Sequence, residues 1–237
     1  MTADLRFWFD PVCPFAWMTS KWVRSVAAQK SYDVEWRLIS LRLLNRAVDY
    51  DSHFPPEYEA GHTAGLRLLR VAARARVEHG SKVLGPLYEA LGERIWEVGP
   101  DAAAVPDRIG PLVAEALGQA GLPAGLADAL EDTAWDVELQ AETDEALALT
   151  GKDVGTPILH FQPPHGVAFF GPVISRLPSE QEAVQLWDHV VGLAGFAGFA
   201  ELKRSLRELP QLPALGVSAE EAGKTEDWHG GSRRQKK

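Results

Sequence analysis

Residues 5–17 read Leu-Arg-Phe-Trp-Phe-Asp-Pro-Val-Cys-Pro-Phe-Ala-Trp. Leu5 to Phe9 form a short aromatic run of strand type, and Asp10-Pro11 punctuates it. Pro14 stands where a helix begins, because its missing N–H costs nothing in the first turn. The spacing predicts a helix from Pro14 to about Gln29, with Trp17, Ser20, Lys21 and Arg24 on one face and Trp22, Val23 and Val26 on another. Residues 33–41 alternate polar and apolar and read as a second strand. A βαβ unit of this length implies parallel strands and a right-handed crossover. Cys13 therefore falls between the end of a strand and the start of a helix.

Outward from this unit, residues 55–150 read as almost pure helix. Pro55-Pro56 opens a run rich in Ala, Leu and Arg that lasts to Gly80. Further helices are predicted over Ser81–Glu97, Asp107–Gln119, Pro123–Asp132 and Val137–Thr150. After Gly151 the pattern returns to short strands, Pro157–Phe161 and Val167–Phe170, around a Pro163-Pro164-His165-Gly166 turn. Ser179 with Glu182 has the form of a capping box, ahead of a helix with Ala183, Val184, Trp187, Val190, Val191 and Ala194 on one stripe. Beyond Ala200 a polar helical turn and a Pro- and Gly-bearing tail are expected, disordered from about residue 212. The order is β-α-β, a helical block, then β-β-α. Residues 1–54 and 151–200 make one small α/β domain of 104 residues, residues 55–150 an insertion of 96, and residues 201–237 a C-terminal extension.

Composition narrows the function. The 237 residues are 46% hydrophobic and 24% charged, ordinary globular values. The formal charge is −9, and the four cations among the last five residues leave residues 1–232 at −13. So acidic a body repels phosphate backbones and argues against nucleic acid as a partner. No run approaches 18 apolar residues, so no membrane span is expected. The N-terminus lacks the pattern of a secretory signal, and a single cysteine forms neither an internal disulfide nor a CxxC zinc site. Together these point to the cytoplasm.

Two elements carry the candidate chemistry. Backbone N–H groups at a helix N-terminus favour negative charge, so Cys13 is expected to have a lowered pKa and to exist partly as thiolate. A carboxylate of Asp10 close by would oppose this. The alternative is a small hydrophobe packed in the core. The second element is Thr156-Pro157 ahead of a strand. Either it is an ordinary trans edge proline, or a cis bond leaves the Thr156 backbone free to pair with an extended thiol or peptide ligand. His160 and His165 flank a turn, but nothing nearby completes a metal set, and no phosphate loop, nicotinamide or flavin site is evident.

Taken together, Asp10-Pro11-Val12-Cys13-Pro14-Phe15-Ala16-Trp17, a helical insertion, then Val154-Gly155-Thr156-Pro157 resembles the thioredoxin-fold family of the DsbA type. Phe7–Pro11, Leu87–Gly92, Asp153–Pro157, Val167–Val173 and Glu201–Arg204, in that order, resemble its actinobacterial mycothiol-dependent nitroreductase branch. The resemblance spans roughly residues 5–205. It implies a thioredoxin-like α/β fold with a large all-helical insertion, a cis Pro157 and a reactive Cys13. It departs from the family's Cys-Pro-aromatic-Cys motif at Ala16, so a second small thiol from solution must resolve any mixed disulfide. Phe15, in the exposed inner position of the motif, with Asn45, Tyr58 and Trp96, is expected to line the thiol and substrate pocket beside Thr156 and Pro157. Asn45 and Tyr58 match the branch's polar and aromatic positions, while Trp96 replaces a histidine and removes a proton donor.

The resemblance implies mycothiol-dependent reduction of a small electrophile or nitroaromatic through Cys13, with mycothiol as cosubstrate. The Ala- and Arg-rich, Lys-poor composition fits a GC-rich bacterium and favours mycothiol over glutathione. A second reading is a kappa-type thiol transferase or 2-hydroxychromene-2-carboxylate-type isomerase, in which Cys13 holds a bound thiol noncovalently. A third is a non-catalytic binding protein on the same fold. Helical insertions of this kind can form dimer faces, which leaves a homodimer open.

Overall fold

The computed structural model describes residues 3–102, 104–204, 206–217, 223 and 225–227. Strand β1, Leu5–Phe9, is the centre of the architecture. Its alternation sends Leu5, Phe7 and Phe9 into the main core, while Trp8 joins a second cluster with Ile39, Ala146 and Ile158. Helix α1, Pro14–Gln29, leads to β2, Val34–Leu38, which pairs parallel to β1. Short helices α2, Leu41–Leu44, and α3, Tyr50–His53, follow. Then come α4, Glu57–His79; α5, Leu84–Trp96; α6, Val105–Gln119; and α7, Asp136–Thr150. Strand β3, Ile158–Phe161, pairs antiparallel with β1, and β4, Ala168–Phe170, pairs antiparallel with β3, giving the order β2-β1-β3-β4. Helix α8, Glu180–Ala194, and a separate pair of strands, β5, Leu206–Glu208, and β6, Thr225–Asp227, complete the chain. This is a thioredoxin-like sheet whose β2–β3 connection is helical, as the resemblance implied. Among the described residues no helix is long and apolar enough to cross a membrane.

Aromatic packing holds α1 and α8 to one face of the sheet. Trp22 and Trp187 lie 5.4 Å apart, Trp187 meets Phe161 at 5.8 Å, and the Trp22 indole N–H donates to the Ala183 carbonyl at 2.9 Å. The Ser179–Glu182 capping box starts α8. The helical segment is fixed to the strands at two joints. Phe9 stacks on the buried Tyr88 of α5 with centroids 3.8 Å apart. Glu142 of α7, itself buried, accepts from Arg37 Nε at 2.5 Å, Arg76 Nη1 at 2.9 Å and the Leu38 amide at 3.0 Å.

Several elements differ from the sequence reading. The second strand stops at Leu38, because Ser40 caps the short helix that begins at Leu41. The helix expected over Pro123–Asp132 is a 3-10 helix, Ala124–Glu131. Residues 201–204 lie outside helix or strand, where a polar helical turn was expected. Order also continues past residue 212. Leu212 is buried, the Pro213–Leu215 turn packs against α5, and the Gln211 amide donates to the Ser175 carbonyl at 2.7 Å. An apolar side chain with a core site to fill and a backbone partner outweighs the local Pro and Gly content. The rest of the tail for which disorder was expected, residues 218–222, 224 and 228–237, lies outside the described residues.

Gly92 of α5 tests the tightness of this packing. A Cβ built there would sit 2.2 Å from the Trp17 ring, whereas a Cβ at the exposed Gly118 of α6 would meet nothing within 4 Å. Gly92→Ala is expected to destabilise the fold by about 1–3 kcal/mol despite alanine's better helix propensity. Gly118→Ala should be neutral or stabilising by up to about 1 kcal/mol. Denaturant titrations of the two variants check both signs.

Candidate active site

Cys13 is the N-cap of α1, with extended backbone angles. Its amide donates to the Asp10 carbonyl at 3.0 Å, closing the turn that ends β1. Its sulfur takes the place an N-cap oxygen usually fills, accepting the Ala16 amide at 3.4 Å. The thiol proton points the other way, to the Thr156 carbonyl at 3.4 Å. Thr156 precedes Pro157 across a cis peptide bond. A local sequence, Cys13-Pro14 at a helix start, is thus joined to a remote one, Thr156-Pro157 at a strand start, through a single sulfur.

The surroundings of that sulfur are closed. Cys13 is 6% exposed and Ala16 is fully buried. Phe15, expected at an exposed position, is 7% exposed, since the side chain after Pro14 turns into the main core cluster. The Asp10 carboxyl is buried and accepts two amides, Val12 at 3.1 Å and Leu41 at 2.8 Å. It therefore ties the loop before Cys13 to the start of α2. Helix α4 crosses directly above at Gly65, where a Cβ would lie 2.5 Å from the Val12 side chain and 2.6 Å from Asp10 Oδ1. Only glycine allows that approach. On the other side, the Trp96 indole N–H donates to the Pro11 carbonyl at 2.9 Å, and the Trp17 indole N–H donates to Glu97 Oε1 at 2.8 Å.

These contacts place each expected site residue. Cys13, Pro14, Phe15, Ala16, Thr156 and Pro157 belong to one locus, and Trp96 abuts it through the Pro11 backbone. Asn45 caps the C-terminus of α2 and donates from Nδ2 to the Leu41 carbonyl at 2.8 Å. Leu41 is the residue whose amide Asp10 holds, so Asn45 is one step from the Cys13 loop. Tyr58, near the start of α4, stacks on Phe54 with centroids 5.6 Å apart and meets His62 at 5.5 Å. Gly65 and His62 were not singled out from the sequence, and Asp10 was named there only as a carboxylate that would oppose the thiolate, without its ties to the Val12 and Leu41 amides.

Electrostatics correct the expected thiolate. Burial pushes the Cys13 thiol up to about 11, and the Asp10 charge adds to the rise. The Thr156 hydroxyl and the Ala16 and Phe15 amides pull in the opposite direction. Desolvation therefore outweighs the helix N-terminus, and the free protein holds Cys13 as a thiol at neutral pH. Thr156 Oγ1 is buried without a hydrogen-bond partner in this state. It lies beside the sulfur and gains an acceptor only when the thiol ionises. Burial also raises Asp10 to about 7, opposed by its two amide donors.

Two clefts lie away from this locus along β2, of about 400 and 390 Å³. In the first, Arg37 and Arg76 are engaged by Glu35, Glu138, Glu142 and Glu145. Thiol chemistry has no group there. No group of three His, Cys, Asp or Glu side chains gathers as a metal site among the described residues.

The family model described as Rv2466c-like, mycothiol-dependent nitroreductase Rv2466c, matches residues 12–204. The chain belongs to this family. A relative from Mycobacterium tuberculosis (strain ATCC 25618 / H37Rv), named Uncharacterized protein Rv2286c, is 33% identical over 191 residues, 79% of this chain and 76% of that one. The solved structure of probable DsbA oxidoreductase SCO1869 from Streptomyces coelicolor superposes with a TM-score of 0.50 at 17% identity. That comparison covers 89% of this chain and 98% of the other, and it supports the DsbA-type fold. Membership of the Rv2466c-like family makes the chain a thiol oxidoreductase of the DsbA superfamily, with one cysteine in its motif and Ala16 in place of a second.

The Asp10 carboxyl gives this site a signature in stability. Folded, it titrates at about 7; its ordinary value is 3.8. Between these values the folded state keeps a proton that the unfolded chain has released, so stability falls as pH rises from about 4 to 7. Asp10→Asn, which carries no charge, is expected to flatten that slope while losing one amide acceptor. Urea melts at pH 5 and pH 7 check it: the loss of stability across the interval should be smaller in the variant than in wild type.

Proposed function

We propose that the protein is a cytoplasmic oxidoreductase that uses mycothiol to reduce a small electrophilic or nitroaromatic substrate through Cys13. The observation that carries the reading is the sulfur held between the Ala16 amide and the Thr156 carbonyl before Pro157. Family membership supports mycothiol as the cosubstrate. On this reading residues 1–54 and 151–200 form the domain that carries the thiol, and residues 55–150 form an insertion that walls the substrate side. Phe15, Asn45, Tyr58, Trp96 and Thr156 line or support the pocket. The partners are a small thiol and a small molecule, and neither a nucleotide cofactor nor a metal takes part.

The step balances with one protein thiol. Cys13–SH and one mycothiol, R–SH, give two electrons and two protons to the substrate and become the mixed disulfide Cys13–S–S–R. A second mycothiol thiolate attacks the R sulfur of that bond, forming R–S–S–R and releasing Cys13. Ala16 leaves no internal route for this second step. A high Cys13 pKa makes it a poor leaving group, so the mixed disulfide should be slow to form and slow to resolve.

The same raised pKa favours the kappa-type transferase or isomerase as the second reading. A thiol that stays protonated is a hydrogen-bond donor, suited to hold the thiolate of a bound cosubstrate without a covalent bond.

Intact mass after incubation with oxidised mycothiol separates the two. The oxidoreductase predicts one adduct on wild type and none on Cys13→Ala, with a formation rate that climbs about tenfold per pH unit between pH 7 and 9. No adduct on a folded wild type, with conjugation or isomerisation activity surviving in Cys13→Ser but not Cys13→Ala, would replace it with the second reading.

A further inference from the structure

The second cleft along β2, of about 390 Å³, is lined by Arg24, Ala27, Tyr32, Val34, Trp36 and Glu89 and takes no part in the thiol chemistry. Arg24 stands about three turns along α1 from Cys13, roughly 16 Å away on the helix axis. Its guanidinium stacks on Trp36, with the central carbon 4.1 Å from the indole centroid, and Nη2 donates to the Gly85 carbonyl at 3.0 Å. Residue 85 is glycine where α5 meets that indole: a Cβ there would lie 2.9 Å from Trp36 Nε1. Three elements, α1, β2 and α5, thus hold one guanidinium in the wall of the cleft.

The charge on that guanidinium is unmatched. Arg6, Arg37, Arg67, Arg70 and Arg76 are buried or half-buried, and each meets a carboxylate. Arg24 is half-buried too, yet it forms no ion pair among the described residues, and its Nε is sealed from solvent without a hydrogen-bond partner. Burial lowers its pKa, and the charge of Glu89 opposes the fall from a distance. Arginine keeps its charge in such surroundings. Glu89 is exposed on the same cleft and likewise has no hydrogen bond or ion pair among the described residues. One positive and one negative group therefore share the cleft, attract each other and do not meet. Ala27, Val34 and the rings of Tyr32 and Trp36 supply the apolar wall.

We propose that this cleft is a binding site for a free aromatic α-amino acid, with the carboxylate on Arg24, the ammonium on Glu89 and the ring against Tyr32 and Trp36. A simple anion would pair with Arg24 but sit beside Glu89, and a simple cation would meet the reverse. A zwitterion satisfies both, because its two charges stand on neighbouring atoms of one carbon. A guanidinium takes a carboxylate through two parallel N–H bonds, which uses donors that Arg24 leaves unpaired. The volume is that of a small-molecule site with apolar walls and a few polar groups. The site is separate from Cys13 and does not depend on which thiol chemistry the protein carries out.

The full chain, with Cys13 reduced, is titrated by calorimetry with phenylalanine, with hydrocinnamate, which lacks the ammonium, and with phenethylamine, which lacks the carboxylate. Wild type should bind phenylalanine at least about tenfold more tightly than phenethylamine, the worth of a charged hydrogen-bonded pair. Its advantage over hydrocinnamate should be about threefold, since Glu89 is exposed. Arg24→Gln should weaken phenylalanine about tenfold. Glu89→Gln should remove the advantage over hydrocinnamate, and as a change at an exposed side chain it serves if Arg24→Gln does not fold. The Trp36 indole N–H signal in nitrogen–proton spectra, assigned by its loss in Trp36→Phe, should shift as phenylalanine binds to wild type. No binding to wild type, phenethylamine bound as tightly as phenylalanine, no shift at Trp36, or affinities unchanged in Arg24→Gln or Glu89→Gln overturns the proposal.

Discussion

One buried carboxyl sets the position of everything around the thiol. Asp10 accepts the Val12 amide within its own loop and the Leu41 amide at the start of α2, and α4 can close over it only because residue 65 is glycine. Remove that tie and three elements lose their common reference: the turn that presents Cys13, the short helix ending at Asn45, and the helix carrying Tyr58 and His62. The cost is a carboxyl held near neutrality beside a thiol that must at some stage ionise. Position and reactivity are therefore in tension at this site.

That tension gives the free protein its resting state. Two backbone groups hold the sulfur, an amide below and a carbonyl across, and the carbonyl can be satisfied only by a protonated thiol. The Thr156 hydroxyl favours the opposite state and is orphaned until the sulfur ionises. In a two-cysteine site the second thiol would add another donor to the first. Ala16 removes it, and the resting balance moves toward the thiol.

The fold was largely legible in the sequence, and the site was legible in part. The strand-turn-helix at Leu5–Gln29, the parallel second strand and the α8 capping box follow from local rules that the tertiary structure does not override. The cis bond at Pro157 came from family resemblance, since nothing in Thr-Pro alone requires it. What failed depended on distant parts of the chain. The exposure of Phe15 was taken from the family's motif and the pKa of Cys13 from its place at a helix start, but both are set by how closely the surrounding core packs over that position. The order at Leu212 comes from a core site and a partner at Ser175 that the local composition cannot reveal. His62 lay unremarked in a helical run, because its hydrogen-bond partner Tyr50 stands on another element.

The central claim is that desolvation, rather than the helix N-terminus, governs Cys13. The direct test is a titration of its thiolate ultraviolet absorbance in the reduced protein, taken as the difference from Cys13→Ala. A midpoint near 11, well above that of a free cysteine, is the expected result. A midpoint below about 7, in the range of activated cysteines, would contradict the account.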